Sequence, residues 1–451
     1  MSFYSQIFSK LFYPAYELLR RRKTFYYFCE YKTNEQLSSD EIAELSFIKL
    51  KEMLVYCYEN IPYYKEIWDK ESIDVRSFTE AGDMEKLPFL TKEIIKTRYD
   101  DLKPKMYIGD RYTKTTGGSS GEPLKFEYSR ESNDRRTAVA WRGYEWGGAK
   151  IGEKTLYLWG GDVLPVSKVK KLKDGVYNFV FRRKILNTFN MRDDNLCWYV
   201  EQINKFKPKR IVAYTTPVVM LSEYILKHKI PIWVPGSLLT GAEGLSEEQR
   251  ILINSAFKSE VYNTYGSREV MLMASECEYH SGLHITSDHL YLEVVARCGV
   301  NVTGEQGEVV VTDLHNYFMP LIRYKNGDLA TYGEKECKCG LPFPKLHEIN
   351  GRVLSIIKTK SGIILPGEYF PHLIKDFDEV SGYQVVQENY DEVIVRIILR
   401  NGAKKSESMQ LLCEVIQKKL NYELQVKIEF VEYLEKTLSG KTLPVISRIQ
   451  E

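Results

Sequence analysis

The sequence predicts an α/β chain. A large layered N-terminal domain with parallel or mixed sheets is followed by a small, mobile α+β domain. Three observations lead there. Short apolar runs alternate with helical stretches through the middle of the chain, the pattern of strands joined by crossover helices. Near residue 290 the pattern changes to period-two strands. After Gly351 a fresh strand-rich unit begins.

The elements follow in order. Residues 1 to about 100 read mostly helical, with apolar residues at three-to-four spacing around 41–58. "ESNDRRTAVAWRGYEWGGA" at 131–149 reads as a helix. "TLYLWG" at 155–160 and "RIVAY" at 210–214 read as strands, and "PVVMLSEYILKHK" at 217–229 as the helix after them. "SLLTGAE" at 237–243 is a further strand and loop. "LYLEVV", "GEVVVTDL" and "DLATYG" carry the period-two pattern. "GYQVVQE", "EVIVRIILR" and "QVKIEFVEY" surround a helix at 406–421. A chain of 451 residues is too long for one compact core. The boundary is placed near 350, giving domains 1–350 and 351–451.

Composition narrows the class. Hydrophobic residues make up 43% and charged residues 27%, which is ordinary for a soluble globular protein. A net charge of +2 gives no electrostatic footprint for nucleic acid. No apolar run is long enough to span a bilayer, and the N-terminus has no signal-peptide pattern. Eight cysteines in this length are not a disulfide framework. A cytoplasmic enzyme is expected. The N-terminal segment mixes aromatics with "RRRK" at 20–23. A basic amphipathic helix of that kind could touch a membrane surface. The competing reading packs its aromatics on the main body and shows its charges to water.

Residues 115–124 read "TTGGSSGEPL". Glycine lets the backbone approach a ligand closely, and the hydroxyls add donors beside exposed N–H groups. That combination suits phosphate, although Gly, Ser and Pro also dominate plain turns. A P-loop is excluded, because Gly121 is followed by Glu122 rather than lysine. "SGKT" at 439–442 lacks the earlier glycine of that motif, since position 435 is Glu. No dinucleotide fingerprint follows a strand and opens a helix.

Further stretches line up behind this loop: "NTYGSRE" at 263–269, "MPLIRY" at 319–324, "RYKNGD" at 323–328, "GRVLSIIKTKSGIILPGE" at 351–368 and "TLSGKTLPVISRI" at 437–449. In this order they resemble the adenylate-forming superfamily of acyl-CoA synthetases and adenylation domains. Within it they are most similar to the phenylacetate–CoA ligase and CapK-type branch.

The resemblance implies a reaction between a carboxylate and the α-phosphate of ATP, with Mg²⁺. Both reactants are anions, so positioning and neutralisation dominate. It implies that Thr115, Thr116, Gly117, Gly118, Ser119, Ser120 and Gly121 hold the outer phosphates. Glu269 would hold Mg²⁺, which suits a hard oxygen ligand. Asp328 would accept from the ribose hydroxyls, with Arg352 beside them. Gly241, Ala242 and Glu243 would flank the adenine, and Tyr265, with Gly266 and Ser267 following, would stack on it. Lys441 would stabilise charge developing on the α-phosphate. The sequence departs from the family at Arg268, where many members carry Thr. It departs again at Leu354 and Ser355, where most relatives carry acidic hinge residues.

A metal site is also expected. "CEYHSGLH" at 277–284 and "CKCG" at 337–340 supply thiols and imidazoles, the natural zinc set. Cys277, His284, Cys337 and Cys339 are the chosen ligands, with His280 the rival for His284; free thiols and surface histidines are the plain alternative. Such a cluster is frequent in phenylacetate–CoA ligase relatives.

The expected function is ATP-dependent activation of a carboxylic acid to an acyl-adenylate, then transfer to coenzyme A. The alternatives are transfer to an amine, as an amide ligase in surface-polysaccharide synthesis, or a CapK-type adenylyltransferase. The acid itself is unreadable: Trp141, Tyr144 and Tyr214 could line its pocket, and core packing accounts for them equally.

Overall fold

The computed structural model describes residues 8–116, 124–160, 168–296, 301–302, 304–333, 336–350, 357–365, 367, 369–374, 377, 379–400, 408–435 and 443–449. The chain opens with helices α1 (Tyr13–Arg20), α2 (Thr24–Asn34), α3 (Ser39–Asn60), α4 (Pro62–Lys70) and α5 (Lys92–Thr97). The sequence fixes α3 at both ends. Ser38 and Glu41 form a reciprocal capping box, two acids sit in the first turn, and Ile61-Pro62 ends the run. Its Leu50, Met53, Leu54 and Cys57 recur at helical spacing and are buried in the largest core.

Of the two readings of the N-terminal segment, packing accounts for its aromatics. Phe8, Tyr13 and Tyr16 all set their rings against Phe181, at 5.2–5.7 Å between centroids. Tyr13 also meets Trp141 edge-on at 5.0 Å. No helix among the described residues is long and apolar enough to cross a membrane.

A two-stranded ribbon follows, β1 (Arg111–Thr115) antiparallel to β2 (Lys125–Ser129), leading into α6 (Arg130–Trp146). The central sheet then builds through β3 (Thr155–Trp159), α7 (Lys168–Val180), β4 (Arg183–Asn187), α8 (Leu196–Phe206), β5 (Arg210–Tyr214), α9 (Thr215–His228), β6 (Ser237–Gly241), α10 (Glu247–Phe257) and β7 (Val261–Ser267). All these strands pair in parallel, in the order β4-β3-β5-β6-β7. From β7 onward the same sheet runs antiparallel through β8 (Met271–Glu276), β9 (Leu283–Ile285), β10 (Leu290–Val295), β11 (Gln306–Asp313), β12 (Tyr324–Tyr332) and β13 (Lys345–Asn350). The eleven strands make one mixed sheet, which agrees with the α/β layered expectation.

The C-terminal unit has its own sheet. After a short pair, β14 (Ile357–Lys358) and β15 (Ile364–Leu365), and helix α11 (Tyr369–Ile374) come β16 (Val380–Gln387), β17 (Glu392–Leu399), α12 (Ser408–Lys419), β18 (Gln425–Phe430) and β19 (Val445–Ser447). The order is β18-β17-β16-β19. This α+β unit packs its own core and adds Phe189 and Tyr214 of the large sheet to it. It therefore sits at the C-terminal ends of β4 and β5. In open parallel sheets that end is where ligands bind, beside the strand at which the order reverses. Here that strand is β3, with β4 on one side and β5 on the other.

Candidate functional site

Four chain segments meet at the same end of the sheet. Strand β6 finishes at Gly241, and a Cβ there would stand 2.7 Å from Thr264 Oγ1. Only glycine lets β6 and β7 run this close, and Thr264 Oγ1 bonds Thr240 O at 2.7 Å. Ala242 then takes the left-handed region, with φ +68°. A non-glycine residue in that region is uncommon and marks a backbone held for a purpose. Glu243 follows. Its carboxylate accepts from the Thr216 N–H at 2.6 Å, in the first turn of α9. Burial pushes its pKa up, and that N–H pulls it part of the way back. Glu243 thus clamps the β5–α9 turn to the β6 loop.

The second segment is the turn between β7 and β8. The ladder bulges between Tyr265 and Gly266, and a Cβ on Gly266 would lie 2.2 Å from Met271 O. Tyr265 is buried, and its hydroxyl donates to Asp328 at 2.9 Å. Asn326 donates to both, at 2.9 Å to Tyr265 and 3.0 Å to Asp328. Glu269 is only 6% exposed, and its one partner among the described residues is the Tyr324 hydroxyl at 3.0 Å. Nearby, Ser267 Oγ is buried with no hydrogen-bond partner among the described residues. A carboxylate buried without a cation is costly, and an orphaned hydroxyl adds to that cost. Both are oxygen donors, the set that suits a hard divalent cation.

The third segment is the ribbon. Thr116 closes it, with its N–H on Leu124 O at 2.7 Å and its Oγ1 accepting from Leu124 N at 3.0 Å. Arg268 donates to Thr115 O at 2.9 Å. The residue that departs from the family therefore ties the base of the glycine loop to the Glu269 turn. Gly117, Gly118, Ser119, Ser120 and Gly121 of the loop lie outside the described residues. Arg352, Leu354, Ser355 and Lys441 lie outside them too. The fourth segment is the strand pair β12–β11. In it Arg323 is a structural residue: it donates to Glu293 at 2.8 Å and to Leu87 O at 2.6 Å, pinning the helical segment to the sheet.

Thus Thr115, Thr116, Tyr265, Gly266, Ser267, Glu269 and Asp328 are linked through Arg268, Tyr324 and Asn326. Sequence reasoning gave Tyr324 and Asn326 no role, and noted Arg268 only as a departure from the family that could alter ligation near Glu269. Tyr324 and Asn326 lie inside quoted motifs, but their spacings of four and two from Asp328 show only which strand face they share. Trp141 belongs elsewhere, against Tyr13 and Phe28. Tyr144 is packed with Ala149, Val212 and Leu239. Tyr214, its ring tilted against Trp159 at 4.1 Å, stands at the strand ends.

Cys277, His284, Cys337 and Cys339 lie together, their ligand atoms all within 4.8 Å of one another. Cys277 and Cys337 sulfurs are 3.7 Å apart, and Cys339 Sγ is 3.3 Å from His284 Nε2. His284 Nδ1 is 3.0 Å from Phe343 O, a bond that makes it the donor and leaves Nε2 to face the thiols. His280 points elsewhere, to Glu276 at 3.2 Å and flat on Tyr262. The donor set and its closure on four sides fit a structural zinc ion.

Comparison with known proteins agrees with this geometry. Residues 356–448 match the CapK C-terminal domain family. Protein CapK of Staphylococcus aureus is 26% identical over 96% of this chain and 94% of its own length. Phenylacetate-coenzyme A ligase of Escherichia coli strain K12 is 24% identical over 82% of this chain and 85% of its own. Among solved structures, 2-hydroxyisobutyryl-CoA ligase superposes with a TM-score of 0.61 at 18% identity, covering 92% of each chain. Motif order, fold and relatives converge: the chain is similar along nearly its whole length to CapK and along most of it to a phenylacetate-coenzyme A ligase, its residues 356–448 match the CapK C-terminal domain, and it shares the fold of 2-hydroxyisobutyryl-CoA ligase.

Proposed function

We propose that this protein is an ATP-dependent acid ligase that forms an acyl-adenylate and passes the acyl group to coenzyme A. The observation that carries the reading is Glu269, buried with a tyrosine hydroxyl as its partner and tied through Arg268 to the ribbon at Thr115. A carboxylate oxygen of the acid attacks the α-phosphorus, the bond to the β-phosphate breaks, and pyrophosphate leaves. The coenzyme A sulfur then attacks the acyl carbon, the carbon–oxygen bond to AMP breaks, and the thiol proton is lost to a base.

In this reading Glu269 and Ser267 hold Mg²⁺, which neutralises the phosphates. The Thr115–Gly121 loop holds the outer phosphates. Asp328, oriented by Asn326, takes the ribose hydroxyls with Arg352. Gly241, Ala242 and Glu243 flank the adenine, and Lys441 meets charge that develops only in the transition state. The large unit, 1–350, binds the substrates, and 351–451 covers them. Trp159 and Tyr214 wall the acid pocket at the reversal of strand order. Zinc at Cys277, His284, Cys337 and Cys339 supports the fold and takes no part in the reaction.

Leu354 and Ser355 keep a second acceptor in play. An amine attacks the same mixed anhydride, and the similarity to CapK keeps nucleotidyl transfer in view as well. The test is a screen of carboxylic acids for acid-dependent pyrophosphate release with ATP and Mg²⁺, followed by mass spectrometry of the products with coenzyme A. Thioester forming as fast as pyrophosphate supports the reading. Adenylate that accumulates until an amine is added replaces it with an amide ligase. Metal analysis should find about one zinc per chain. Cys337→Ser should lower stability while leaving ATP affinity near the parent value.

A further inference from the structure

The helix between β3 and β4 has an outer face left exposed among the described residues. Leu172, Val176 and Phe179 of α7 are 71%, 58% and 84% exposed. Their spacing of four and then three residues puts them on one stripe of the helix. The N-terminal segment lies beside α7, joined to it by Tyr16, whose ring is 5.9 Å from Tyr177 and 5.2 Å from Phe181. That segment exposes Leu11, Leu18 and Leu19, at 62%, 82% and 83%. The two elements set Tyr16 against Tyr177 and Phe181 and leave Phe179 and most of their aliphatic side chains outside. Single exposed leucines need no explanation, but six exposed apolar side chains on two elements packed against each other mark an interaction surface.

Charge identifies the partner. Residues 8–23 hold five lysines and arginines against Glu17, and residues 168–184 hold seven against Asp174. Together these thirty-three residues carry +10, while the whole chain carries +2, so the remaining chain is −8. Arg20, Arg21, Lys23 and Lys173 are exposed beside the apolar stripes. A second copy of the chain would bring two such positive faces together. An apolar stripe flanked by lysines and arginines matches instead the interface of a bilayer with anionic headgroups. The long basic side chains reach headgroup phosphates while the leucines and Phe179 enter the acyl boundary.

We propose that the N-terminal segment and α7 together form a docking surface for an anionic lipid bilayer. The test is cosedimentation of the full chain with vesicles of phosphatidylglycerol and phosphatidylcholine, and with phosphatidylcholine alone. Binding is expected to the first and not to the second, falling steeply as salt shortens the range of the charges. The Leu172→Glu/Phe179→Glu variant should bind the anionic vesicles at least about tenfold more weakly. Its thermal unfolding and its pyrophosphate release with a soluble acid should match the parent. Leu18→Glu/Leu19→Glu, on the other element, should show the same loss. Absence of parent binding at low salt overturns the proposal, and so does unchanged binding in both variants. A parent dimer that Leu172→Glu/Phe179→Glu dissociates also overturns it, and would make a second copy the occupant.

Discussion

Asp288 and Glu269 are both buried carboxylates, and they are treated in opposite ways. Asp288 is fully buried and takes a two-pronged ion pair from Arg142, at 2.6 and 2.8 Å, with Asn34 adding a third donor at 2.8 Å. Glu293 with Arg323 and Asp313 with Arg136 repeat the pattern. Glu269 is nearly as buried, yet its partner among the described residues is a neutral hydroxyl. Burying a carboxylate costs several kcal/mol unless a cation answers it. The first group is internally compensated and belongs to the fold. The second has no such cation beside it among the described residues. The same side chain thus reads as architecture or as a site according to its partner.

Removing charge should separate the two groups most sharply at Asp288. Asp288→Asn leaves the Arg142 guanidinium buried without its counter-charge and should cost about 3–5 kcal/mol of stability. Denaturant unfolding measures this directly. Stability close to the parent value would mean that Arg142 finds water or another acceptor.

Glu269→Gln should do the reverse. No cation in the described structure is stranded, so the unfolding midpoint should hold or rise. Pyrophosphate release should fall on the order of 10²–10³-fold, with Mg²⁺ dependence weakened. A large stability loss with modest loss of turnover would move Glu269 into the structural group.

The next effect is in pH. His289 and His315 are buried among Arg135, Arg136, Arg142 and Lys49 and stack on each other at 5.3 Å. Burial, and then these positive charges, hold both well below the usual histidine value. Asp288 O faces His315, and the Tyr31 hydroxyl lies 2.7 Å from His289 Nδ1. Unfolding frees both rings to take protons near pH 6.5. The unfolded state therefore binds more protons below that pH, and stability falls with pH by up to about 2.7 kcal/mol per unit. His315→Gln should roughly halve that slope between pH 6.5 and 5. A slope unchanged by the substitution would locate the acid sensitivity in carboxylates.

The smallest effect belongs to Arg268. Arg268→Met removes one charged donor from Thr115 O, worth roughly 1.5 kcal/mol. The Michaelis constant for ATP should rise about tenfold with turnover little changed. Equal loss in turnover would give Arg268 a part in the chemistry as well as in holding the ribbon.

The sequence by itself determined the order of elements and the chemical kind of site. Alternating apolar runs announced β3, β5 and β6, because strand and helix periods differ within a few residues. The capping box at Ser38 and Glu41 sets a helix start for the same local reason. The composition of "TTGGSSGEPL" and of the paired cysteine segments pointed to phosphate and to zinc, since composition limits what a loop can hold, while "YGSRE" pointed to its ligands only through resemblance. Tertiary structure alone decided partnership. His284 rather than His280 joins the thiols because β9 pairs with β13 and brings His284 opposite Lys345. Arg268 reaches Thr115 across a separation of 153 residues, and Arg142 reaches Asp288 across 146. The face made by α7 and the N-terminal segment exists because Phe8, Tyr13 and Tyr16 pack against Phe181, and Tyr16 against Tyr177. Local rules act over one or two turns of chain, whereas the cost of a buried charge is set by whatever the fold places beside it.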